Sequence, residues 1–233
     1  MQYPKSLYLL VLISFLFSAC GTEEKSEGNY HAELNAGAVE DYRLSIDQDC
    51  PGGLRVICNS GLSFAPLGLM IADLHAVGIE EVEEADSLDY EMGYVRLNRS
   101  FDFGDGFILL EGDVLTEDGA TDEDISASKL SRIRIEANEF TTPDGVHTGM
   151  SVSKLSELYS DEDLSVLSFA SFEEFKDNPR YQFLIINPEK YPNITYLLPD
   201  PGHKIFEQLG NTEEIKFSQL PKEALISSIV ISV

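Results

Sequence analysis

The sequence predicts an α+β fold, a mostly antiparallel sheet with short helices. Segments with the two-residue alternation of strands outnumber segments with helical spacing. These strands do not alternate regularly with helices, which disfavours a doubly wound parallel sheet. The chain has 233 residues, of which 43% are hydrophobic. That length and composition predict a folded domain with a substantial core rather than a disordered chain.

The first half of the predicted domain contains five strands and one short helix. Alternating polar and apolar residues place the strands at 42–47, 54–58, 93–101, 107–111 and 130–136. The last is the clearest, because Ile133 and Ile135 alternate with arginines. The helix at 69–77 ends at Gly78. Its apolar face consists of Met70, Ile71, Leu74 and Val77.

The second half contains two helices, a helix start and four further strands. A helix at 151–159 is predicted to bury Val152, Leu155 and Leu158. Residues 171–174 have the spacing of a capping box. Asp200-Pro201 opens another helix, which Gly210 closes. The predicted strands lie at 181–186, 194–198, 214–217 and 225–233.

An internal repeat is suggested at a constant offset of 81 residues. Residues 68–77 and 149–158 each place a glycine before a two-turn helix with the same apolar spacing. We therefore predict one domain at 42–233 that contains two strand–glycine loop–helix modules, around 54–136 and 138–233. Chance similarity is the alternative at this length.

The N-terminus has the pattern of an export signal. A positive charge at Lys5 precedes an apolar run from Leu7 to Phe17, which is shorter than the roughly 20 residues that span a bilayer. The Ser18-Ala19-Cys20 ending resembles the lipobox of bacterial lipoproteins, although Phe17 stands where that family usually has Leu. The resemblance implies a signal peptide at 1–19 and acylation of the Cys20 thiol, for example by palmitate. An ordinary cleaved signal with an incidental cysteine is the alternative.

The residues after Cys20 indicate where in the cell envelope such a lipoprotein would be located. Gly21 in place of Asp resembles the sorting signal of lipoproteins sent to the outer membrane, and 23–25 loosely resemble export tags of Bacteroidota surface lipoproteins. These resemblances imply a lipid-anchored protein of the cell envelope, on the periplasmic side or at the cell surface. Residues 20–41 have few large apolar side chains, which predicts an acidic flexible tether.

A second resemblance covers under a third of the chain. The stretch 140–151, Phe-Thr-Thr-Pro-Asp-Gly-Val-His-Thr-Gly-Met-Ser, is similar to a pattern in secreted bacterial domains of unknown function. In that pattern a strand is followed by two closely spaced glycines and a small helix. The resemblance implies an α+β lipoprotein domain and brings no chemistry.

Two cysteines remain once Cys20 is lipidated. Cys50 and Cys58 form an even pair in an oxidising compartment. A bridge would close a loop of about nine residues and contribute roughly 2.5 kcal/mol on the chain-entropy model. It needs a bulge or a wide loop at Pro51-Gly52-Gly53. We predict a disulfide, with buried free thiols or a redox or metal site as the alternatives.

Histidine is the residue type on which catalysis usually depends, and only His147 has a suggestive setting. It lies in a glycine-flanked loop before a helix N-terminus, where anions can bind. His31 lies in the tether, His75 on a helix, and His203 in the first turn of the 200–210 helix, where we expect it to be exposed. The chain has no nucleophile elbow, phosphate-binding loop, zinc-protease motif or dinucleotide fingerprint. We predict no enzyme, no catalytic residue and no cofactor, with His147 as a candidate ligand-binding residue. An enzyme that uses His147 with an acidic partner is the alternative.

The acidic residues fall in two groups, at 80–91 and 111–124, which we expect to be solvated loops. Ca²⁺ needs six to eight oxygen ligands on a preorganised loop. The second group offers oxygens without the spacing of a calcium loop, and the Asp102–Asp105 turn could add carboxylates. We assign no metal site and keep weak divalent-cation binding as an alternative.

The net charge of −25 limits the partners. Affinity for nucleic acid comes largely from Lys and Arg, so the charge excludes a phosphate-tracking nucleic-acid binder. It favours a cationic protein as a candidate partner. The sequence therefore predicts a non-enzymatic, lipid-anchored binding or structural protein. An inhibitor of cationic hydrolases such as lysozyme is the second reading.

Overall fold

The computed structural model describes residues 53–74, 83–91, 93–116, 120–168, 182–210 and 215–232. All of them belong to the larger of two compact units of the chain, Gly37–Val233. The predicted signal peptide, the tether, the strand at 42–47 and the capping box at 171–174 lie outside the described residues.

Two antiparallel sheets account for the described strands. The small sheet consists of β1 (Ile57–Cys58), β2 (Gly61–Leu62) and β3 (Ala65–Pro66). The nine-stranded sheet consists of β4 (Glu83–Glu91), β5 (Tyr94–Asp102), β6 (Phe107–Gly112), β7 (Leu115–Thr116), β8 (Leu130–Ile135), β9 (Leu164–Ser168), β10 (Phe183–Pro188), β11 (Ile194–Pro199) and β12 (Ser228–Ser232). Its spatial order is β4-β5-β6-β8-β12-β11-β10-β9, with β7 paired to β5. The predicted α+β fold with a mostly antiparallel sheet is confirmed.

The described helices are short. They are α1 (Asp122–Ser126), α2 (Val152–Leu158) and α3 (Lys204–Gln208), with 3-10 turns at Ile71–Asp73, Pro201–His203 and Phe217–Gln219. Thr121 caps α1, and Ser151 caps α2 by accepting the N–H of Lys154. Within the described ranges, none of the helices combines the length and apolar sequence that a bilayer crossing requires.

The core covers one face of the large sheet. Directly opposite residues form a row across seven neighbouring strands, and every side chain in it is buried: Phe101, Ile108, Ile135, Ile229, Tyr196, Ile186 and Val166. Alternation along each strand places these residues on the same face. Burying each of the aliphatic side chains stabilises the fold by roughly 1.5–3 kcal/mol. Val152 and Leu155 of α2 pack on this core.

Most of the predicted elements are confirmed within one or two residues. The strands predicted at 93–101, 107–111, 130–136, 181–186 and 194–198 correspond to β5, β6, β8, β10 and β11. The helix at 151–159 corresponds to α2, and the segment 200–210 contains the Pro201–His203 turn and α3. Gly210 closes this segment in a left-handed conformation, with φ of 84°.

Several predicted elements differ from the structure. Instead of a helix at 69–77, the described part has a single 3-10 turn that ends where Leu74 becomes extended (ψ 126°). The strand predicted at 54–58 is reduced to Ile57–Cys58, and the one at 225–233 to Ser228–Ser232. The strand predicted at 214–217 is replaced by a bridge at Ile215 and a 3-10 turn. Leu158 is 46% exposed rather than buried, because it is the last residue of α2.

The first acidic group forms a strand rather than a loop. β4 pairs with β5 over nine residues, and its described side chains are exposed on both faces. The Arg99 guanidinium holds it in place through two hydrogen bonds to the Asp86 carboxylate, of 2.7 and 2.9 Å. The third nitrogen of the same guanidinium, Nη1, donates to the Leu74 carbonyl at 2.5 Å. The backbone ladder and this pair therefore override the weak strand propensity of acidic residues.

The two predicted repeat copies differ locally. Gly68 and Gly149 both have positive φ, of 88° and 80°. A 3-10 turn follows the first glycine and the α-helix α2 follows the second. The internal duplication stays a prediction.

Candidate ligand-binding site

His147 lies in a tight loop between β8 and α2. The Thr142 side chain accepts the N–H of Val146 at 3.1 Å, and its carbonyl accepts the N–H of Gly145 at 2.8 Å. Gly145 adopts the left-handed backbone that such a turn requires, with φ of 83°. Val146 is fully buried and anchors the loop in the core.

The end of the loop is attached to the segment before β12. The Gly149 N–H donates to the Ile226 carbonyl at 2.7 Å, and the Ile226 N–H donates to the Met150 carbonyl at 2.9 Å. His147 is therefore held between a buried residue and a backbone ladder. The predicted glycine loop that leads into a helix is confirmed here.

The His147 ring has a defined hydrogen-bonding role. Its Nδ1 lies 2.7 Å from the Thr148 carbonyl oxygen. A carbonyl oxygen only accepts, so Nδ1 must carry the hydrogen. In the neutral ring, Nε2 is then left as an acceptor.

An open pocket of about 470 Å³ lies beside this loop, at one end of the large sheet. The turn between β5 and β6, the end of β8, the histidine loop and the start of β12 converge there. Its lining includes Asp105, Glu136, Asn138, His147, Thr148 and Ser227.

Gly106 allows the β5–β6 turn to approach the end of β8 closely. A Cβ at this position would lie 2.6 Å from the Glu136 carbonyl oxygen and 2.7 Å from the Ala137 Cα. Both contacts are shorter than van der Waals distance, so only glycine fits without a shift. This approach places Asp105 at the rim of the pocket.

The charge of the pocket is negative. The Glu136 carboxylate accepts from the Arg134 guanidinium at 2.5 Å, and its backbone carbonyl accepts from the Thr148 hydroxyl at 3.2 Å. Asp105 is exposed and adds a second carboxylate. Among the residues that the structure describes, no group of three or more His, Cys, Asp or Glu side chains is arranged to hold a metal ion.

A second polar cluster surrounds Asp144, in the turn that leads to His147. The Asp144 carboxylate accepts from the Tyr159 hydroxyl at 2.9 Å and from the Lys190 ammonium at 2.6 Å. Burial alone would raise the pKa of Asp144, but these hydrogen bonds outweigh it and lower that pKa. The cluster joins the turn to the end of α2 and to the β10–β11 connection.

Tyr159, which belongs to this cluster, and the nearby Tyr196 both stay protonated. Burial is the main reason why the pKa of Tyr159 is raised, and its hydrogen bond to Asp144 raises that pKa further. Burial likewise raises the pKa of Tyr196 to about 12. Both hydroxyls therefore act as neutral hydrogen-bonding groups near pH 7.

The second acidic group is not a single solvated loop either. Glu111 is buried in β6, 2.6 Å from Arg96 and 3.2 Å from Arg132. Asp122 and Asp124 lie in the first turn of α1, where the helix dipole favours negative charge. The Glu111 and Asp124 carboxylates thus have structural partners, since that of Asp124 accepts the Thr121 N–H at 2.9 Å.

The other residues singled out in the sequence have mixed outcomes. Cys20, Cys50, His31 and His75 lie outside the described residues. Cys58 is 2% exposed in β1, and its pairing with Cys50 stays a prediction. His203 is buried rather than exposed, because Gly202 and His203 both have left-handed backbones (φ 67° and 54°) that kink the chain before α3.

Only some of the residues that neighbour His147 in the pocket could be predicted from the sequence. The carboxylate of Asp105 stood out because it lies in a turn-like segment. Glu136 and Asn138 carry no local signal, because they reach the pocket only through the pairing of β8 with β6 and β12. Their position beside His147 follows only from the strand order of the sheet.

Comparisons with known proteins found a similar solved structure. No protein-family model and no curated protein matches the chain. The structure is similar to that of the uncharacterized protein yfeY from Escherichia coli, with 16% sequence identity and a TM-score of 0.43 over 73% of this chain and 97% of that chain. We draw no functional argument from this similarity.

Proposed function

We propose that the chain is a lipid-anchored protein of the bacterial outer membrane, which binds a cationic protein and catalyses no reaction. The anchor is proposed from the apolar run that ends at Ser18-Ala19-Cys20. The observation that carries the choice of partner is the excess of acidic residues, 41 against 16 basic ones.

This excess cannot be neutralised within the chain. Even if every Lys and Arg were paired with one carboxylate, 25 negative charges would remain. Several arginines are already committed to carboxylates in the sheet, as in the Arg99–Asp86 and Arg134–Glu136 pairs. A surface with this balance attracts positively charged proteins and speeds their encounter, most strongly at low salt.

Two exposed elements carry clustered acidic side chains. β4 lies at one edge of the large sheet and carries Glu83 and Asp89 among its exposed side chains. α1 begins with Asp122, Glu123 and Asp124, all of them exposed. Both elements support electrostatic attraction of a basic partner.

The anchor is tested by labelling cells with an alkyne-tagged palmitate. We expect label on the wild-type protein and none on Cys20→Ala. Label retained by the variant, or absent from the wild type, would contradict the anchor.

The partner class is tested with lysozyme as a defined cationic protein. We expect the full-length protein in detergent micelles to bind native lysozyme, and to bind lysine-acetylated lysozyme at least about tenfold more weakly. Equal binding of both forms, or none at low salt, would contradict the proposal. Lysozyme activity in the same mixture separates the two readings, because loss of activity would favour the inhibitor.

A further inference from the structure

We propose that the pocket beside His147 receives a basic side chain of the partner. This inference rests on the proposed function and names the place where the cation is recognised. The pocket differs from the exposed acidic elements because it combines a concave shape with hydrogen-bond acceptors on several sides.

The lining of the pocket suits a group that donates hydrogen bonds. Asp105 brings a carboxylate, Asn138 a side-chain amide, and Ser227 a hydroxyl whose hydrogen is donated to the Leu197 carbonyl at 3.2 Å. The hydrogen on His147 Nδ1 is used by the Thr148 carbonyl, so the neutral ring has only an acceptor left to offer. An ammonium or a guanidinium has donors and no acceptor, which complements this set.

The charges in the pocket also favour a cation. Arg134 neutralises Glu136 through their 2.5 Å contact, which leaves Asp105 as the uncompensated charge of the lining. An anionic ligand would meet this carboxylate without a lining cation to offset it. We therefore expect Asp105 to contribute most to the selection of a cation.

The size and composition of the pocket exclude other ligand classes. A volume of about 470 Å³ is within the roughly 300–1,000 Å³ of small-ligand sites, so a basic side chain enters with part of its backbone. A metal ion lacks the ligand set, since no group that could hold one is found in the described ranges. A sugar would lack the usual aromatic platform, because none of the lining residues is Phe, Tyr or Trp.

The test is an NMR titration of the full-length protein in micelles. The probes are blocked tripeptides Gly-Lys-Gly and Gly-Arg-Gly, and the control is Gly-norleucine-Gly, which has a similar apolar stem without the charge. We expect the basic tripeptides to shift the backbone amide signals of His147, Thr148 and Gly149. Equal shifts with norleucine, or shifts confined to β4 and α1, would overturn the assignment.

A matched pair of variants tests the role of the carboxylate. Asp105→Asn removes the charge at the rim, whereas Asp113→Asn removes an exposed charge beyond the other end of β6. We expect roughly fivefold weaker peptide binding for Asp105→Asn and less than about twofold for Asp113→Asn. Unchanged amide spectra elsewhere confirm that both variants fold. Equal losses in both variants would show a diffuse charge effect and overturn the pocket.

The two proposals fail in different ways. If lysozyme binds the wild type and Asp105→Asn equally well, the pocket assignment is wrong while the cationic partner stands. If the basic tripeptides bind at the His147 loop but lysozyme does not bind at all, the protein partner is wrong while the pocket stands.

Discussion

Replacing Asp144 by Asn tests whether its polar cluster stabilises the turn before His147. The substitution keeps the size of the side chain and removes its negative charge. The carboxylate accepts from Tyr159 at 2.9 Å and from Lys190 at 2.6 Å, and both interactions weaken when it becomes a neutral amide.

The expected loss follows from the exposure of the two donors. Lys190 is 59% exposed, so solvent screens its ion pair and most of the expected loss comes from the hydrogen bond to Tyr159. The Tyr159 side of the cluster is largely buried, and weakening a hydrogen bond to a charged group there costs about 1 kcal/mol. We therefore expect Asp144→Asn to lower the free energy of unfolding by about 1 kcal/mol near neutral pH.

The effect of pH has a defined sign. The pKa of Asp144 is lower in the folded protein than its ordinary value of 3.8, so its stabilisation is complete above that ordinary value. It is lost as the pH falls through the lowered folded pKa. Because protonated Asp and Asn are both neutral, the difference between wild type and variant should shrink toward zero at low pH.

The assay is urea unfolding followed by far-UV circular dichroism at neutral pH and near the folded pKa. Asp113→Asn is the control for the loss of one exposed charge. A double-mutant cycle with Tyr159→Phe should give a coupling free energy of about 1 kcal/mol. A stability difference between wild type and Asp144→Asn that does not change with pH, or no coupling to Tyr159, would contradict this role of the Asp144 carboxylate.

Three further substitutions test the fold. Ile135→Ala, in the middle of the buried row, should lower the free energy of unfolding by about 2–5 kcal/mol in urea, and a loss below about 1 kcal/mol would contradict its place in the core. Gly106→Ala should cost about 1–3 kcal/mol, because its Cβ would lie 2.6 Å from the Glu136 carbonyl oxygen; an unchanged melting temperature would contradict that close approach. Asp200→Ala removes a fully buried carboxylate that accepts two backbone N–H groups of α3, so hydrogen exchange in α3 should accelerate; unchanged protection there would count against this capping role.

The elements that the sequence predicted well are those whose pattern reflects burial on one face. Ile133 and Ile135 alternate with Arg132 and Arg134 because one face of β8 covers the core. β4 has no such pattern, because its side chains at 83–90 are exposed on both faces and its pairing depends on β5. Local alternation therefore could not identify β4 as a strand.

The helix predicted at 69–77 shows a different limit. Its apolar spacing is real, since Ile71 and Leu74 are both buried. The backbone nevertheless leaves the helical conformation at Leu74, where the Arg99 guanidinium binds the carbonyl. The Leu74 carbonyl is thus bonded by a side chain of β5, a tertiary contact that the local sequence does not reveal.

The sequence predicted only part of the candidate site. The flanking glycines drew attention to His147, since they indicate a tight loop before a helix. Glu136 and Asn138 join it because β8 lies between β6 and β12 in the sheet. Similarly, the Lys190–Asp144 contact joins residues 46 positions apart, which no local motif could reveal.

Calorimetry of lysozyme binding to the full-length wild type, Asp105→Asn and Asp113→Asn at one salt concentration is the decisive measurement for recognition of a cationic partner at the His147 pocket. We expect binding by the wild type, roughly fivefold weaker binding by Asp105→Asn, and a change of less than about twofold for Asp113→Asn. Equal affinities for Asp105→Asn and Asp113→Asn, or no measurable binding by the wild type, would contradict the recognition of a cationic partner at the His147 pocket.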